Sequence, residues 1–190
     1  MRAHQPLILA SRSPQRRAIL EQLGIAFEVL AVDVAEIAAG DPVEVARANA
    51  LAKAQAAALL RPRDTILGVD TVVALDGEIY GKPASETAAV QTLRQLAGRT
   101  HEVVSGIALL DSANPQVAHE VTSVTFRALD DDLVRRYVNT GEWSGRAGGY
   151  AIQGQGALLV TRIMGDYLNV VGLPVAKLLD LDLSLILREN

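Results

Sequence analysis

Cysteine is absent from the 190-residue chain, which excludes disulfides, thiolate nucleophiles and zinc–cysteine sites. Histidine is scarce: His4, His101 and His119 form no cluster. Neither His-Glu-x-x-His nor Gly-x-Ser-x-Gly occurs, so zinc-protease and nucleophile-elbow chemistry find no support. Aromatic residues make up 4%, too few for a surface that stacks single-stranded bases. Excess positive charge is lacking too. Eighteen Lys and Arg against 22 Asp and Glu give a net charge of −4, so there is no general electrostatic footprint for DNA or RNA. No apolar run approaches the ~20 residues that span a bilayer, and no basic segment precedes a long apolar stretch and cleavage site. The expectation is a cytoplasmic protein with neither a membrane nor a nucleic-acid partner.

What is present is a core-forming chain, 49% hydrophobic and 21% charged, enough for one domain or two small lobes sharing a sheet. The order of elements predicts α/β architecture. An apolar strand, Leu7–Ala10, leads into a helix from Pro14 to Leu23, and a second strand is expected over Phe27–Val32. An alanine-rich helix follows from Val43 to Leu60, then strands Ile66–Leu75 and Glu78–Tyr80 about an Asp76-Gly77 turn. A helix from Ser85 to Ala97 precedes two long strands, His101–Leu110 and Val117–Leu129, joined by a turn at 112–115. A short helix over Asp130–Asn139, a segment with six glycines from Gly141 to Gly156, a strand Ala157–Ile163 and a Leu-rich helix, Leu173–Leu187, complete the chain. The pattern predicts a mixed, partly antiparallel twisted sheet with flanking helices, residues 1–190 forming a single domain.

Several residues draw attention on physical grounds. Ser13 stands at an N-cap and Pro14 at the first helical position. Free N–H groups at such a helix start attract anions. Ser11, Arg12, Arg16 and Arg17 stand in or beside that turn, where cations make sense if a polyanion binds; solvated arginines are the alternative. Asp70 interrupts an apolar strand, an expensive placement unless a cation, a metal or hydrogen bonds meet it. Thr71 is expected on the opposite face unless the strand bends or ends. Lys53 is a lone cation on an apolar helix, which suggests a partner, with snorkelling as the alternative. Lys82 lies in a Gly-Lys-Pro turn and Glu36 in a loop, positions where solvated charges are common. Gln153, in the glycine-rich segment, carries both a donor and an acceptor and suits the reading of a base edge. His101 is read as structural.

In this order the motifs resemble the Maf family of nucleotide pyrophosphatases: Leu9-Ala10-Ser11-x-Ser13-Pro14-x-Arg16, Glu36, Ala52-Lys53-Ala54, Asp70-Thr71-Val72-Val73, Gly81-Lys82-Pro83, Gly98-Arg99-Thr100-His101-x-Val103, Ala147-Gly148-Gly149-Tyr150-Ala151-Ile152-Gln153-Gly154 and Asn169-Val170-Val171-Gly172-Leu173-Pro174. The resemblance implies a Maf or ITPase-like fold with two lobes around a cleft, a divalent cation (Mg²⁺ or Mn²⁺), a homodimer, and hydrolysis of nucleoside triphosphates to monophosphate and pyrophosphate. A non-hydrolytic regulator of septum formation is the alternative. Asp70 matches the family's catalytic carboxylate; Ser11, Ser13, Arg16, Glu36, Lys53 and Lys82 match its substrate positions; Asp70 and Glu36 are the expected metal ligands. Three positions sort substrates within the family. Thr71 and Gln153 match the dTTP/UTP branch, whereas Gln15 departs from the arginine found there. Ala35 replaces an aspartate that often precedes the family glutamate.

Overall fold

The computed structural model describes residues 7–111 and 115–186. The turn expected at 112–115 is thus described only from Pro115, and His4 and Leu187 lie outside the described residues. Among these, no helix is long and apolar enough to cross a membrane.

The sheet is built on β3, Ile66–Leu75, whose residues are nearly all buried. On one side it pairs antiparallel with β5, Thr100–Leu110, from Ile66 to Ala74. β5 pairs with β6, Pro115–Phe126, and β6 with β7, Val160–Met164, both antiparallel. The other side of β3 is divided. β1, Leu7–Ala10, runs parallel along Ile66–Gly68 and carries β2, Phe27–Val29, outside it. β4, Glu78–Tyr80, folds back on Val73–Leu75. Residues 69–72 therefore have an open edge between β1 and β4, and the mixed, partly antiparallel sheet expected from the sequence has a gap in it.

Alternation sorts the side chains into two layers. Ile8, Ala10, Ile66 and Ala108 meet α2, Pro42–Leu60, while Val72 and Val104 meet its first half. On the opposite face, Leu7, Leu9, Val69, Ile107 and Leu109 pack on α1, Pro14–Gln22, and on the C-terminal segment. Farther along that face, Val73, Leu75, Val103 and Val124 pack on α3, Glu86–Leu96, and α4, Asp131–Val138. These two packed groups are the lobes, and the gap in the sheet lies between them.

α2 sits unusually close to the sheet because the contact is made by small residues. Gly68 and Gly106 lie beneath Ala46, Ala50 and Ala54, and a Cβ built on either glycine falls 2.2 Å from a helix carbonyl oxygen. Asn49 and Lys53, four residues apart on one helix face, are thereby lowered onto Asp70.

Several expected boundaries change. β2 stops at Val29, not Val32, because its neighbour β1 ends at Ala10; residues 30–41 become a loop. α2 begins at Pro42, where Asp41 caps the amides of Val43 and Glu44. β6 ends at Phe126, where the Leu159 carbonyl takes the next amide, Arg127 N. The strand expected from Ala157 starts at Val160, since Glu142 accepts from the amides of Gln155 and Gly156 and holds Gly154–Leu158 as a 3₁₀ turn. The single C-terminal helix is two pieces: α6, Val175–Leu181, then a 3₁₀ turn, Leu183–Ile186, with Asp182 extended between them. An additional short helix, α5, Tyr167–Val171, is capped by Asp166 and ended by Gly172 at φ 127°.

Candidate active site

A cleft of about 390 Å³ opens over the gap in the sheet. Ser11, Ser13, Gln15, Arg16, Glu36, Lys53, Asp70, Thr71, Lys82 and Gln153 all line it. They arrive from separate elements: the end of β1 and the start of α1, the 30–41 loop, α2, β3, the turn after β4, and the glycine-rich segment.

Asp70 is 7% exposed. Its Oδ1 lies 2.6 Å from Lys53 Nζ and its Oδ2 accepts from Asn49 Nδ2 at 3.0 Å. The expensive carboxylate in an apolar strand is thus met by a cation and an amide, both from α2. The same ammonium stands 2.6 Å from Glu36 Oε1. Lys53 therefore has the partner its apolar helix suggested, and its charge is shared between two carboxylates. Asn49 was not legible as a site residue; the one signal for it is a polar amide one turn before Lys53 on an alanine-rich helix.

Arg16 differs from the expectation for the arginines beside the first turn. It is buried, and four N–H···O contacts go to the protein: Nε to Gly172 O at 2.8 Å, Nη1 to Ser11 Oγ at 2.9 Å and Val69 O at 3.0 Å, and Nη2 to Thr71 Oγ1 at 3.0 Å. A guanidinium has five N–H groups, so one is left for a ligand. The Val69 carbonyl is one that the sheet gap leaves without a strand partner, and Arg16 satisfies it. Burial lowers the Arg16 pKa, with Asp70 and Glu36 opposing the shift. Arg17 takes no part in the cleft: it turns to Glu21 at 3.9 Å. Arg12, Lys82 and Arg146 line the cleft, and their side chains make no hydrogen bond or ion pair with any described residue. They are its uncommitted positive charge, and Arg12 and Arg146 stand beyond the positions that the resemblance picked out.

Thr71 does face away from Asp70, as alternation requires. Its hydroxyl joins Arg16 and, at 2.8 Å, Ser105. Both residues nonetheless line one cleft, because the open edge of β3 exposes the two faces together. At the helix start, Ser13 Oγ accepts from Arg16 N at 3.4 Å and donates to Gln15 Oε1 at 3.2 Å. The Gln15 amide group keeps its N–H donors for the cleft. Gln153 lies exposed at the opposite wall.

That wall is anchored by aromatic packing. Tyr150 lines the cleft and its hydroxyl lies 2.8 Å from His101 Nε2, with Phe126 edge-on to both rings. Burial raises the Tyr150 hydroxyl well above its ordinary value and pulls His101 down to about 4. His101 is therefore neutral and structural, as expected, and Nδ1 has no hydrogen-bond partner among the described residues. Below pH 6.5 the unfolded chain takes up a proton that the folded imidazole refuses. Stability is consequently lost as the pH falls from 6.5 towards 4, by about 3 kcal/mol in all. Urea denaturation of the wild type and of His101→Gln should reveal it: the stability margin of the wild type over the variant shrinks by that amount between pH 7.5 and pH 4. A margin independent of pH would mean that the imidazole titrates freely.

Asp70 and Glu36 alone do not form a seat for a resident metal ion. Lys53 Nζ already stands against both carboxylates, and the described residues hold no group of three His, Asp or Glu side chains that could bind an ion. Mg²⁺ that keeps its waters and phosphate oxygens needs only one or two carboxylates. Glu36, with its side chain 44% exposed, is the one of the two carboxylates open to solvent.

Comparison with known proteins agrees with the resemblance carried by the ordered motifs. A family model described as Maf-like protein matches residues 6–182. A dTTP/UTP pyrophosphatase from Pelotomaculum thermopropionicum is 45% identical over 92% of this chain and 94% of its own. The proteins of the same description from Desulforamulus reducens and Pyrococcus furiosus are 44% and 45% identical, over 93% and 92% of this chain and 94% and 93% of theirs. Among solved structures, a Vibrio cholerae protein at 13% identity superposes with a TM-score of 0.38 over 72% of this chain and 68% of its own, a likeness too loose to argue from. A cleft joining the ordered motifs to a buried, cation-paired aspartate and a family match over nearly the whole length have one conclusion: the chain belongs to the Maf-like protein family.

Proposed function

We propose that this protein hydrolyses nucleoside triphosphates, dTTP and UTP foremost, to the monophosphate and pyrophosphate, with residues 1–190 acting as one domain. The observation that carries the reading is that Asp70, held by Lys53 and Asn49, lines one cleft with the uncommitted cations Arg12, Lys82 and Arg146. The triphosphate lies over the start of α1. Ser13, the free N–H of Arg16 and the charges of Lys82, Arg12 and Arg146 meet its oxygens. Water attacks the α-phosphorus, the α–β anhydride bond breaks, and Asp70 takes the water proton. With Lys53 and Asn49 each on one oxygen, the carboxylate is held in a fixed plane, and its remaining lone pairs face the cleft. Glu36, with Asp70 beside it, would hold Mg²⁺ or Mn²⁺ carried by the nucleotide. When bound, the ion supplies neutralisation of phosphate charge. Gln15, Thr71 and Gln153 set base preference. Thr71 acts in part through Arg16, whose fork it holds. The substrate class supports a cytoplasmic enzyme, and the family resemblance a homodimer.

The direct test is incubation with dTTP, UTP, CTP, GTP and 7-methyl-GTP plus Mg²⁺, measuring pyrophosphate. Release from dTTP and UTP ahead of the others is expected; release from none, or phosphate in place of pyrophosphate, overturns the reading. Lys82→Ala tests the cation array. Lys82 is exposed and bonded to no described residue, so folding stability should move by less than about 0.5 kcal/mol. Its loss should nonetheless cost roughly tenfold or more in kcat/KM through weaker phosphate stabilisation. Near-normal kinetics would return the lysine to solvent.

A further inference from the structure

We propose that Asn49 is a positioning residue that couples the loop carrying Glu36 to the carboxylate of Asp70, so that a triphosphate meets the two carboxylates as one unit. The proposal rests on the pyrophosphatase reading of the cleft and assigns a role to a residue outside the motifs that identify the family.

Asn49 is 3% exposed. Its amide acts as a piece of backbone would. Oδ1 accepts from Ile37 N at 2.8 Å, and Nδ2 donates to Ile37 O and to Asp70 Oδ2, both at 3.0 Å. Both amide hydrogens and the carbonyl are thus engaged. One hydrogen goes to Asp70 while the other two contacts close on the residue next to Glu36. One turn along, Lys53 repeats the arrangement with charge, bridging Asp70 Oδ1 and Glu36 Oε1. Each oxygen of Asp70 therefore takes one donor from α2, and each donor residue also grips the loop.

The loop depends on these grips. Among the described residues, the hydrogen bonds and ion pairs that fasten residues 31–40 to the rest of the protein are those of Asn49 and Lys53. The segment has no helix or strand and borders the cleft through Val32, Asp33, Val34 and Glu36. Asparagine alone fits the task at this length. Aspartate lacks the two donors, leucine lacks every polar group, and glutamine is a methylene too long. A displacement of even ~1 Å in a reacting group is enough for a large loss of rate.

The test uses the full chain and Asn49→Leu, which keeps the branched side-chain skeleton and removes the polar atoms. It measures kcat and KM for dTTP and UTP with Mg²⁺ at a temperature where both proteins are folded, and hydrogen exchange at the Ile37 amide. Asn49→Ser gives the same comparison if leucine costs the fold. The expected result is a fall in kcat of roughly tenfold or more, a raised KM, and faster exchange at Ile37 while the amides of α2 stay protected. Unchanged kinetics with faster exchange would make Asn49 a strap only, and reduced kcat with unchanged exchange would leave Asp70 and the loop uncoupled; either overturns the proposal. If the wild type releases no pyrophosphate, the pyrophosphatase reading fails by itself. The coupling is then judged by triphosphate affinity and Ile37 exchange, which the variant must still change together.

Discussion

Replacing Asp70 with asparagine is expected to reduce pyrophosphate release by about 10²–10⁴-fold while the protein stays folded. The substitution keeps shape and volume and removes only the ability to take a proton and carry charge. Its structural cost is bounded by the two donors that meet the carboxylate. If the new amide turns its oxygen to Lys53, its NH₂ faces Asn49 Nδ2; if it turns the other way, the NH₂ faces the ammonium. One donor of α2 is left without an acceptor in either case, a cost of about 1–3 kcal/mol. Lys53 retains Glu36 at 2.6 Å, so its charge is not stranded. Domains of this size commonly have about 5–15 kcal/mol in hand, so the variant should melt several degrees earlier yet remain intact at assay temperature. Activity and melting measured on one preparation separate the effects. Pyrophosphate release near the wild-type rate from a folded variant would remove Asp70 from the chemistry.

The sequence is most legible where local pattern and partner coincide. β1, β3 and β4 have the bounds expected from apolar runs closed by turn residues. Boundaries move where the decision belongs to a distant residue: β2 ends because β1 ends, and the last strand starts late because Glu142 claims the amides before it. The site follows the same rule. Asp70 and Lys53 announce themselves as charges in apolar surroundings, and each proves to be the other's partner. Arg16 resembles a ligand-facing cation beside a helix start, yet its guanidinium is drawn inward by Gly172, a residue 156 positions away. No periodicity signals that contact; it exists because the sheet leaves the Val69 carbonyl open and α5 ends over it. Asn49 is concealed for the opposite reason. An asparagine on a helix is ordinary until α2 is seen lying against β3.

How closely α2 lies is itself decisive, and Gly106→Ala is expected to cost about 3 kcal/mol or more and most of the activity as well. In a strand interior, alanine should favour folding by about 0.4–1 kcal/mol, since it narrows the unfolded ensemble. That gain is outweighed here. A Cβ on Gly106 falls 2.2 Å from Ala46 O, 2.3 Å from its carbonyl carbon and 2.6 Å from Arg47 N. All three are backbone atoms in the first half of a 19-residue helix, so no side chain can rotate away and the helix itself must rise. Overpacking of this kind costs about 1–3 kcal/mol where side chains can yield, and more where only a helix can. The rise begins one turn before Asn49 and draws Asn49 and Lys53 away from Asp70, since both donors are carried by the helix that is lifted. Gly68 lies beneath Ala50 and Ala54 in the same way. Gly68→Ala should therefore reproduce the loss, whereas Gly81→Ala, whose Cβ meets nothing within 4 Å, should leave stability nearly unchanged. Denaturant midpoints of the three variants test the comparison. A Gly106→Ala protein as stable and as active as the wild type would mean that the helix stands farther from the sheet than this geometry holds it.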